Sequence, residues 1–244
     1  MSTDNESLAI LLENQDEESE RLIRAACHEL KQPVVGILGF AGILEEDLRD
    51  RVTPEHRLFI ERILDNGRKL DGHLDRLRIM ARAARFVDKQ SQVELAPLLE
   101  KIMGGAEEQL RVLGGSVSRD PALPRCLRGA TGDLELMFSE ILNNALVFQA
   151  AGTAPRVEIT CDSRFSEVPG TAHIMVRDNG IGIDERYHDE VFKACRKLLP
   201  NSEDRFGIGL TICRRITSRY GEKIWLDSAP GRGTTVHFTW ATCD

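Results

Sequence analysis

One of the six histidines has neighbours that suit it to nucleophilic chemistry. His28 lies two positions from both Ala26 and Leu30, which belong to an apolar stripe, so on a helix it points about 200° away from them. An exposed, neutral imidazole keeps one nitrogen free to attack, and the adjacent carboxylate of Glu29 can hold the other ring N–H. Pro33 is expected to kink the same helix one turn further on. The alternative is a solvent-exposed histidine without a function.

Two later segments carry groups that suit ligand binding. The amide oxygen of Asn144, in a predicted helix over 133–150, is a suitable ligand for Mg²⁺. Asp178 directly follows a predicted strand, where its carboxylate can accept an N–H. Gly180 and Gly182 let the backbone turn there and approach a ligand closely.

A third segment suits phosphate. Gly207 and Gly209 precede a predicted helix over 210–220, where exposed backbone N–H groups can bind phosphate oxygens. Each of the three segments also has an ordinary structural alternative. These alternatives are incidental polar residues on a helix, a common Asp-Asn-Gly turn, and a lone Gly-x-Gly.

The first half of the chain has to position His28, and its pattern is helical. Apolar residues recur at steps of three and four in two stripes, the first formed by Ile23, Ala26, Leu30, Val34, Ile37, Ala41, Leu44 and Leu48 and the second by Phe59, Ile63, Leu70, Leu74 and Leu77. Between them, Thr53 and Pro54 supply an N-cap and a proline at the first helical position. We therefore expect a helical hairpin over residues 21–86. Because one hairpin cannot cover two such stripes, we also expect a homodimer that closes a four-helix bundle.

The second half alternates helical and strand-like segments, which predicts an α+β fold. Residues 87–93 are polar and lack a stripe, so they are predicted to link the hairpin to a domain over 94–244. Helices are expected over 96–113 and 133–150, and strands over 155–161, 172–177 and 234–240.

The acidity of the chain is concentrated at its start. The formal net charge is −7, yet residues 1–20 hold seven acidic residues and no Lys or Arg, which leaves 32 acidic against 32 basic residues afterwards. A neutral body argues against nonspecific nucleic-acid binding, which needs a basic surface. With an acidic start and no run of 18 apolar residues, we expect no membrane insertion, no secretory signal and a cytoplasmic location. Six cysteines at long, irregular intervals are expected to be reduced and mostly buried.

These segments occur together in one known family. Residues 27–33 (CHELKQP) and 36–40 (GILGF) resemble the H-box of two-component sensor histidine kinases of the phytochrome-like type. Residues 138–146 resemble the N-box of that family, and residues 178–183 resemble its G1 box. Residues 206–210 resemble the G2 box and phosphate lid, and residues 223–235 resemble the closing strands of the same domain. The resemblance covers residues 21–240. It implies a dimerisation and histidine-phosphotransfer hairpin followed by an α/β-sandwich ATP-binding domain similar to those of gyrase and heat-shock-90 proteins.

The resemblance also implies cofactors, partners and site residues. ATP and Mg²⁺ are the implied cofactors, His28 the phosphoacceptor with Glu29 assisting, and a response regulator receiver domain the partner that takes the phosphate on an aspartate. Asp178 is implied to accept a hydrogen bond from the adenine amino group. The implied nucleotide-binding residues are Asn144, Asp178, Gly180, Gly182, Gly207, Gly209 and Thr235, although Thr235 could be an ordinary strand threonine.

Five residues depart from the family pattern. Glu140 replaces an asparagine of the N-box, and its carboxylate could coordinate Mg²⁺ beside Asn144 or orient a water. Val147 replaces a basic residue, and Cys195 replaces an aromatic one. Arg205 and Phe206 stand where the lid normally has a glycine and a small residue, so Arg205 could clamp phosphate while Phe206 would stiffen the lid. We expect ATP binding to survive these changes in weakened form.

The sequence thus predicts an ATP-dependent protein-histidine kinase. Two alternatives stay open, namely a kinase-inactive phosphotransfer relay and a scaffolding dimer. Gln32 occupies the position where Thr or Asn often supports phosphatase activity, so that second activity is open as well. Cys27 beside His28 raises a redox hypothesis, with an unreactive core thiol as the alternative. The acidic leader over 1–20 has no room for an input domain, so we expect it to splay and await a separate sensor or input protein.

Overall fold

The structure is a computed structural model that describes residues 2–48, 53–82, 90–162, 169–193 and 207–243, with side chains described from residue 22 onward except at 80 and 82. It separates into two compact units, one helical and one α/β. The helical unit consists of α1 (Ser2–Asp47) and α2 (Pro54–Arg82), which pack along each other. The predicted start of α2 is confirmed, because Thr53 Oγ1 accepts the N–H of His56 at 3.3 Å and Pro54 is the first helical residue. Among the described residues, no helix is both long and apolar enough to cross a bilayer.

Buried side chains on the two helices meet in a seam. The most buried are Cys27, Val34 and Ala41 on α1 and Leu64, Leu74 and Ala81 on α2, with Ile23, Leu38 and Leu77 packed against part of the seam. The α1 members repeat every seven residues, the spacing that keeps one face of a long helix against its neighbour. At Gly67 the helices approach closely, since a Cβ there would lie 2.6 Å from Leu38 Cδ2.

The predicted stripe of α1 is divided between two faces. Val34 lies in the seam, but Ala26, which the stripe included, is exposed. About half of the surface of Leu30, Ile37 and Leu44 is exposed in the single chain. A helix in a bundle has more than one neighbour, so a second apolar face is expected on each helix.

Within the described residues, the α/β unit contains three α-helices and seven strands. Its elements are β1 (Gln92–Glu94), α3 (Leu95–Leu113), β2 (Ser116–Arg119), β3 (Cys126–Arg128), α4 (Thr131–Val147), β4 (Arg156–Cys161), β5 (Thr171–Asp178), α5 (Gly209–Tyr220), β6 (Ile224–Ser228) and β7 (Thr234–Ala241). Five strands form a sheet in the order β2-β4-β5-β7-β6, in which only the β2–β4 pair is parallel. The fold class predicted from the sequence, a helical hairpin followed by an α/β domain, is confirmed.

Alternation along the strands builds the core of this unit. Ile174, Val176, Phe238 and Trp240 are buried on one face of the sheet, beneath α4 and α5. Phe138 of α4 meets Phe238 edge-to-face, with ring centroids 5.5 Å apart. The apolar face of the sheet therefore fixes the two helices that border the segments predicted to bind a nucleotide.

Two short strands lie outside the main sheet. β1 and β3 pair antiparallel, and Leu127 of β3 also forms a bridge with Thr242. This arrangement brings Cys126 and Cys243 together in a disulfide, with Cα atoms 5.4 Å apart. The prediction that all cysteines are reduced is therefore wrong for this pair, because a search for local Cys spacing cannot find partners 117 residues apart.

Candidate phosphoacceptor and nucleotide-binding sites

His28 stands on the exposed side of α1, as predicted, but the stripe residues Ala26 and Leu30 used for that prediction are exposed as well. Its side chain is 75% exposed, and Glu29 Oε1 lies 3.7 Å from His28 Nδ1, beyond hydrogen-bond distance but close enough for electrostatic attraction. Pro33 lies inside the same helix. Cys27, the preceding residue, is buried in the seam, and burial raises the pKa of its thiol, which favours the core-thiol alternative for Cys27.

A network of charges beside His28 was not predicted from the sequence. Lys31 Nζ lies 2.8 Å from both carboxylate oxygens of Asp75 and 3.3 Å from Asp71 Oδ1, so one lysine of α1 links two carboxylates of α2. Arg78 Nη2 also reaches Asp75, at 3.3 Å. The hydrogen bond that Lys31 donates to the Asp75 carboxylate raises the pKa of Lys31. The i,i+4 spacing of Asp71 and Asp75 is the sequence signal that could have revealed the network.

The Asp178 carboxylate lies at the end of β5 and organises the turn that follows. Its Oδ1 accepts the N–H of Gly180 at 2.7 Å and that of Thr234 at 3.1 Å. Both hydrogen bonds use the same oxygen, so within the described part of the chain Oδ2 is the atom placed to receive an N–H from a ligand. Burial nevertheless raises the pKa of Asp178, while the two backbone hydrogen bonds oppose that effect.

Two glycines in this turn serve contacts within the protein. A Cβ on Gly182, whose φ is +69°, would collide with the carbonyl oxygen of Ala229, and a Cβ on Gly180 would collide with that of Phe148. Backbone hydrogen bonds hold the same approach, since Ile181 N–H donates to Phe148 at 2.9 Å and Gly231 N–H donates to Ile181 at 2.7 Å. The sequence interpretation assigned these glycines to a close approach of the ligand, whereas the structure shows that the protein backbone occupies that space.

Two polar side chains brace the same turn, and the sequence interpretation missed both. Asn179 accepts the N–H of Arg156 at 2.7 Å and donates to the carbonyl of Ala154 at 3.0 Å. Ser228 Oγ accepts the N–H of Ile183 at 2.8 Å and donates to the carbonyl of Gly233 at 2.8 Å. The loop after α4 and the β6–β7 turn are thereby fixed on either side of Asp178.

The threonine beside Asp178 is Thr234 and not Thr235. Thr234 donates its N–H to Asp178, and its Oγ1 lies 2.9 Å from Ser228 Oγ. Thr235 pairs with Arg177 and Asp227 and lies on the opposite face of the sheet, because neighbouring residues of a strand alternate between faces. The buried alternation of Val236, Phe238 and Trp240 places Thr234 on their face, and this signal in the sequence could have made the distinction.

Oxygen-bearing side chains of α4 lie beside the start of α5. A Cβ on Gly209 would lie 2.6 Å from Glu140 Oε2 and 3.6 Å from Asn144 Nδ2, so both side chains reach the same helix terminus. Glu140 is only 8% exposed, and Gly207 just before the helix has a φ of +68°. A carboxylate and an amide oxygen suit Mg²⁺, which usually takes a few protein ligands and completes its shell with water and phosphate. The described residues hold no cluster of three or more His, Cys, Asp or Glu that could bind a metal ion.

The three predicted nucleotide segments converge within the α/β unit. The Asp178 turn hydrogen-bonds to Phe148 at the end of α4, and α4 in turn faces Gly209 through Asn144. Val147, at the last position of α4, is exposed. Three of the predicted departures from the family pattern, Cys195, Arg205 and Phe206, lie outside the described residues.

Comparison with known proteins gives matches in both units. Residues 18–85 match the family described as His Kinase A (phospho-acceptor) domain, and residues 129–242 match that described as Histidine kinase-, DNA gyrase B-, and HSP90-like ATPase. The methanogenesis regulatory histidine kinase FilI of Methanothrix harundinacea is 31% identical over 95% of this chain and 25% of its own length. Cyanobacterial phytochrome A of Nostoc sp. is 26% identical over 95% of this chain and 30% of its own.

A solved structure shares the fold. The crystal structure of full-length ShkA in complex with AMPPNP aligns with a TM-score of 0.68 at 22% identity, covering 91% of this chain and 46% of that one. This chain therefore spans less than half of that protein and no more than a third of the two curated relatives. Because a phosphoacceptor hairpin is followed by an ATPase domain, each matched by its own family model, the chain belongs to the two-component sensor histidine kinases.

Proposed function

We propose that this chain is an ATP-dependent protein-histidine kinase that phosphorylates itself on His28. The observation that carries the proposal is the convergence of Asp178, Asn144 and the start of α5 in one unit, while the other unit exposes His28 beside a carboxylate. The first group of residues suits a nucleotide, and the second supplies a nucleophile.

The nucleotide is held at two ends in this proposal. Asp178 Oδ2 accepts the adenine amino N–H, and Thr234 borders the same position. The backbone N–H groups at the start of α5, together with the turn at Gly207, donate to phosphate oxygens. Thr234 takes the place that the sequence had suggested for Thr235.

Asn144 and Glu140 would hold Mg²⁺ delivered with the nucleotide. When bound, Mg²⁺ neutralises charge on the transferring phosphate. Glu140 is buried beside Gly209, so its carboxylate adds negative charge where a divalent cation would offset it. A role for Glu140 in orienting water stays the alternative.

At the phosphoacceptor, the position of Glu29 distinguishes the two ring nitrogens. Its carboxylate lies on the Nδ1 side, which favours the tautomer with a proton on Nδ1 and leaves Nε2 with the free electron pair. Nε2 attacks the γ-phosphorus, the bond to the ADP oxygen breaks, and Glu29 steadies or accepts the Nδ1 proton. The phosphate then passes to an aspartate of a response regulator receiver domain.

The remaining parts of the proposal concern the oligomeric state, the domain boundaries and the cellular location of the chain. A second copy of the hairpin covers the exposed apolar side chains of α1 and α2 and closes a four-helix bundle. The division into a leader over 1–20, a hairpin over 21–86, a linker over 87–93 and a domain over 94–244 also stays a proposal, as does a cytoplasmic location. Residues 87–89 of this linker lie outside the described residues, whereas Gln92 and Val93 belong to β1.

Incubation of the full chain with γ-labelled ATP and Mg²⁺ tests the proposed activity. A kinase retains label that survives alkali and is lost in acid, as expected for a phosphorus–nitrogen bond. A chain that binds no ATP but is labelled by a phosphorylated receiver domain would be a relay instead. A chain labelled by neither source would be a scaffold.

A further inference from the structure

The Cys126–Cys243 pair lies where the first strand of the α/β unit is anchored. On one side β3 pairs with β1, with Glu94 opposite Cys126, and the flanks are joined by hydrogen bonds from Leu95 N–H to Arg125 at 3.0 Å and from Gly129 N–H to Ser91 at 2.8 Å. On its other side β3 meets the residues that follow β7. β3, which carries Cys126, therefore lies between β1 on one side and the residues that follow β7, which include Cys243, on the other.

Backbone pairing sets the two cysteines opposite each other independently of any bond between their sulfur atoms. Leu127 and Thr242 form an antiparallel bridge, so the next opposed positions are Cys126 and Cys243, and Cys243 N–H donates to the Cys126 carbonyl at 3.3 Å. Arg128 Nε donates to the Thr242 carbonyl at 2.8 Å and fixes the same register. The Cα separation of 5.4 Å is within the range that a disulfide spans without backbone movement.

The other described cysteines compete poorly for an oxidant. Cys27 and Cys213 are buried, whereas Cys161 is partly exposed, as are Cys126 and Cys243. Burial also raises the thiol pKa of Cys27, Cys161 and Cys213, which lowers the fraction of reactive thiolate at each.

We propose that Cys126 and Cys243 form a reversible redox site, oxidised by a hydroperoxide, that fastens residues 242–243 to β3 and so steadies β1. One thiolate attacks a peroxide oxygen, the O–O bond breaks, and a sulfenic acid forms. The second thiol attacks that sulfur, the S–S bond forms, and water leaves. Two thiols and one hydrogen peroxide thus give a disulfide and two waters, and a dithiol reductant reverses the reaction by exchange.

Oxidation has a local and a global consequence. Locally, the bond prevents β3 from separating from residues 242–243. Because β1 pairs with β3, the β1–β3 ladder then opens less often. Globally, the bond closes a loop of 117 residues, which restricts the unfolded chain strongly. For a chain of this size we expect the melting temperature of the α/β unit to rise by about 10 °C on oxidation.

The test first reduces the full chain with dithiothreitol and removes the reductant, then treats the chain with hydrogen peroxide, and finally with dithiothreitol again. Intact mass, peptide mapping without reduction, melting temperature and amide hydrogen exchange are measured after each step. Peroxide should remove two mass units, yield one peptide pair containing Cys126 and Cys243, raise the melting temperature and slow exchange at Val93 and Leu127 several-fold. Dithiothreitol should reverse all four changes. Cys126→Ser and Cys243→Ser should each abolish the response, while Cys161→Ser, the matched control at a cysteine outside the pair, should retain it.

Three results would overturn the proposal. One is a cross-link that joins other cysteines or fails to form. Another is a cross-link that leaves exchange at β1 and β3 unchanged. The last is a bond that native protein keeps in the presence of dithiothreitol, which would make it a permanent structural disulfide.

Discussion

At the scale of single residues, our proposal gives the Asp178 carboxylate two tasks. Oδ1 holds the turn by accepting two backbone N–H groups, and Oδ2 is the oxygen that we propose accepts the adenine amino N–H. The sequence could predict the residue, because an aspartate at a strand end followed by glycines is a local pattern. It could not predict that Gly182 is needed for a contact within the protein. The backbone that Gly182 approaches, at Ala229, lies nearly fifty residues further along the chain.

Asp178→Asn separates these tasks, since an amide oxygen can still accept from Gly180 and Thr234 but the NH₂ group opposes the adenine donor. We expect ATP or ADP affinity to fall roughly 10- to 100-fold, as for loss of a hydrogen bond to a charged group. Isothermal titration measures this. The control is Asp184→Asn, which removes a carboxylate that caps a short helical turn and pairs with Arg186. Equal affinity for the wild type and Asp178→Asn would remove Asp178 from the nucleotide site.

At the scale of elements, periodicity predicts what lies within one segment and misses what lies between segments. The two long helices, the Thr53 cap and strands β4, β5 and β7 follow from local patterns and are confirmed. The β1–β3 ladder consists of strands of three residues each, too short for alternation to be recognised, and its pairing depends on a contact distant in sequence. The Lys31 network between α1 and α2 was not predicted for the same reason, since its residues are also distant in sequence.

The face of the sheet opposite α4 and α5 holds a pair of buried histidines, from which we predict that stability depends on pH. His173 Nε2 lies 3.1 Å from His237 Nδ1, and Trp225 stacks on both rings, at 5.1 Å and 5.3 Å. Burial lowers the pKa of both histidines, although Asp227 opposes this at His237 and Asp162 opposes it at His173. Their stabilising contribution is complete above the pKa of unfolded histidine, about 6.5.

As the pH falls below about 6.5, the unfolded chain therefore takes up protons that the folded chain does not, and the free energy of unfolding should decrease. Urea unfolding of the α/β unit within the full chain, at pH 7.5 and pH 5.5, measures the decrease. Replacing both histidines with Gln should reduce the difference between the two pH values, whereas His56→Gln, at an exposed histidine of α2, should not. A difference that is the same in the double variant and in the wild type would rule out the pair as its source.

At the scale of the whole molecule, the exposed apolar faces of the hairpin require a partner surface. The side chains concerned are Leu30, Ile37 and Leu44 on α1 and Phe59, Ile63 and Leu70 on α2, each 47–54% exposed. A second copy offers the same faces and needs no other protein, which is the reason to propose a homodimer.

Ile37→Glu should convert the dimer into a monomer, because an unpaired carboxylate would be buried at the interface. Light scattering coupled to size-exclusion chromatography measures the change. Val112→Glu, at a side chain of α3 that is 70% exposed, is the matched control and should leave the mass unchanged. A wild-type chain that is monomeric at micromolar concentration would contradict the proposed bundle.

The acidic leader over residues 1–20 also belongs at the scale of the whole molecule. The sequence predicts that its seven acidic residues splay apart and await a partner, whereas the structure continues α1 through this segment from Ser2. The helical backbone leaves the predicted need for a separate input protein untested.

We propose that ATP phosphorylates His28 and no other residue. Labelling from γ-labelled ATP, followed by mapping of the phosphorylated peptide, tests this in the wild type, His28→Gln and His56→Gln. We expect acid-labile label on the peptide containing His28, equal labelling of His56→Gln, and complete loss of labelling in His28→Gln with ADP affinity unchanged. Undiminished label in His28→Gln, or label mapped to another residue of the wild type, would contradict it.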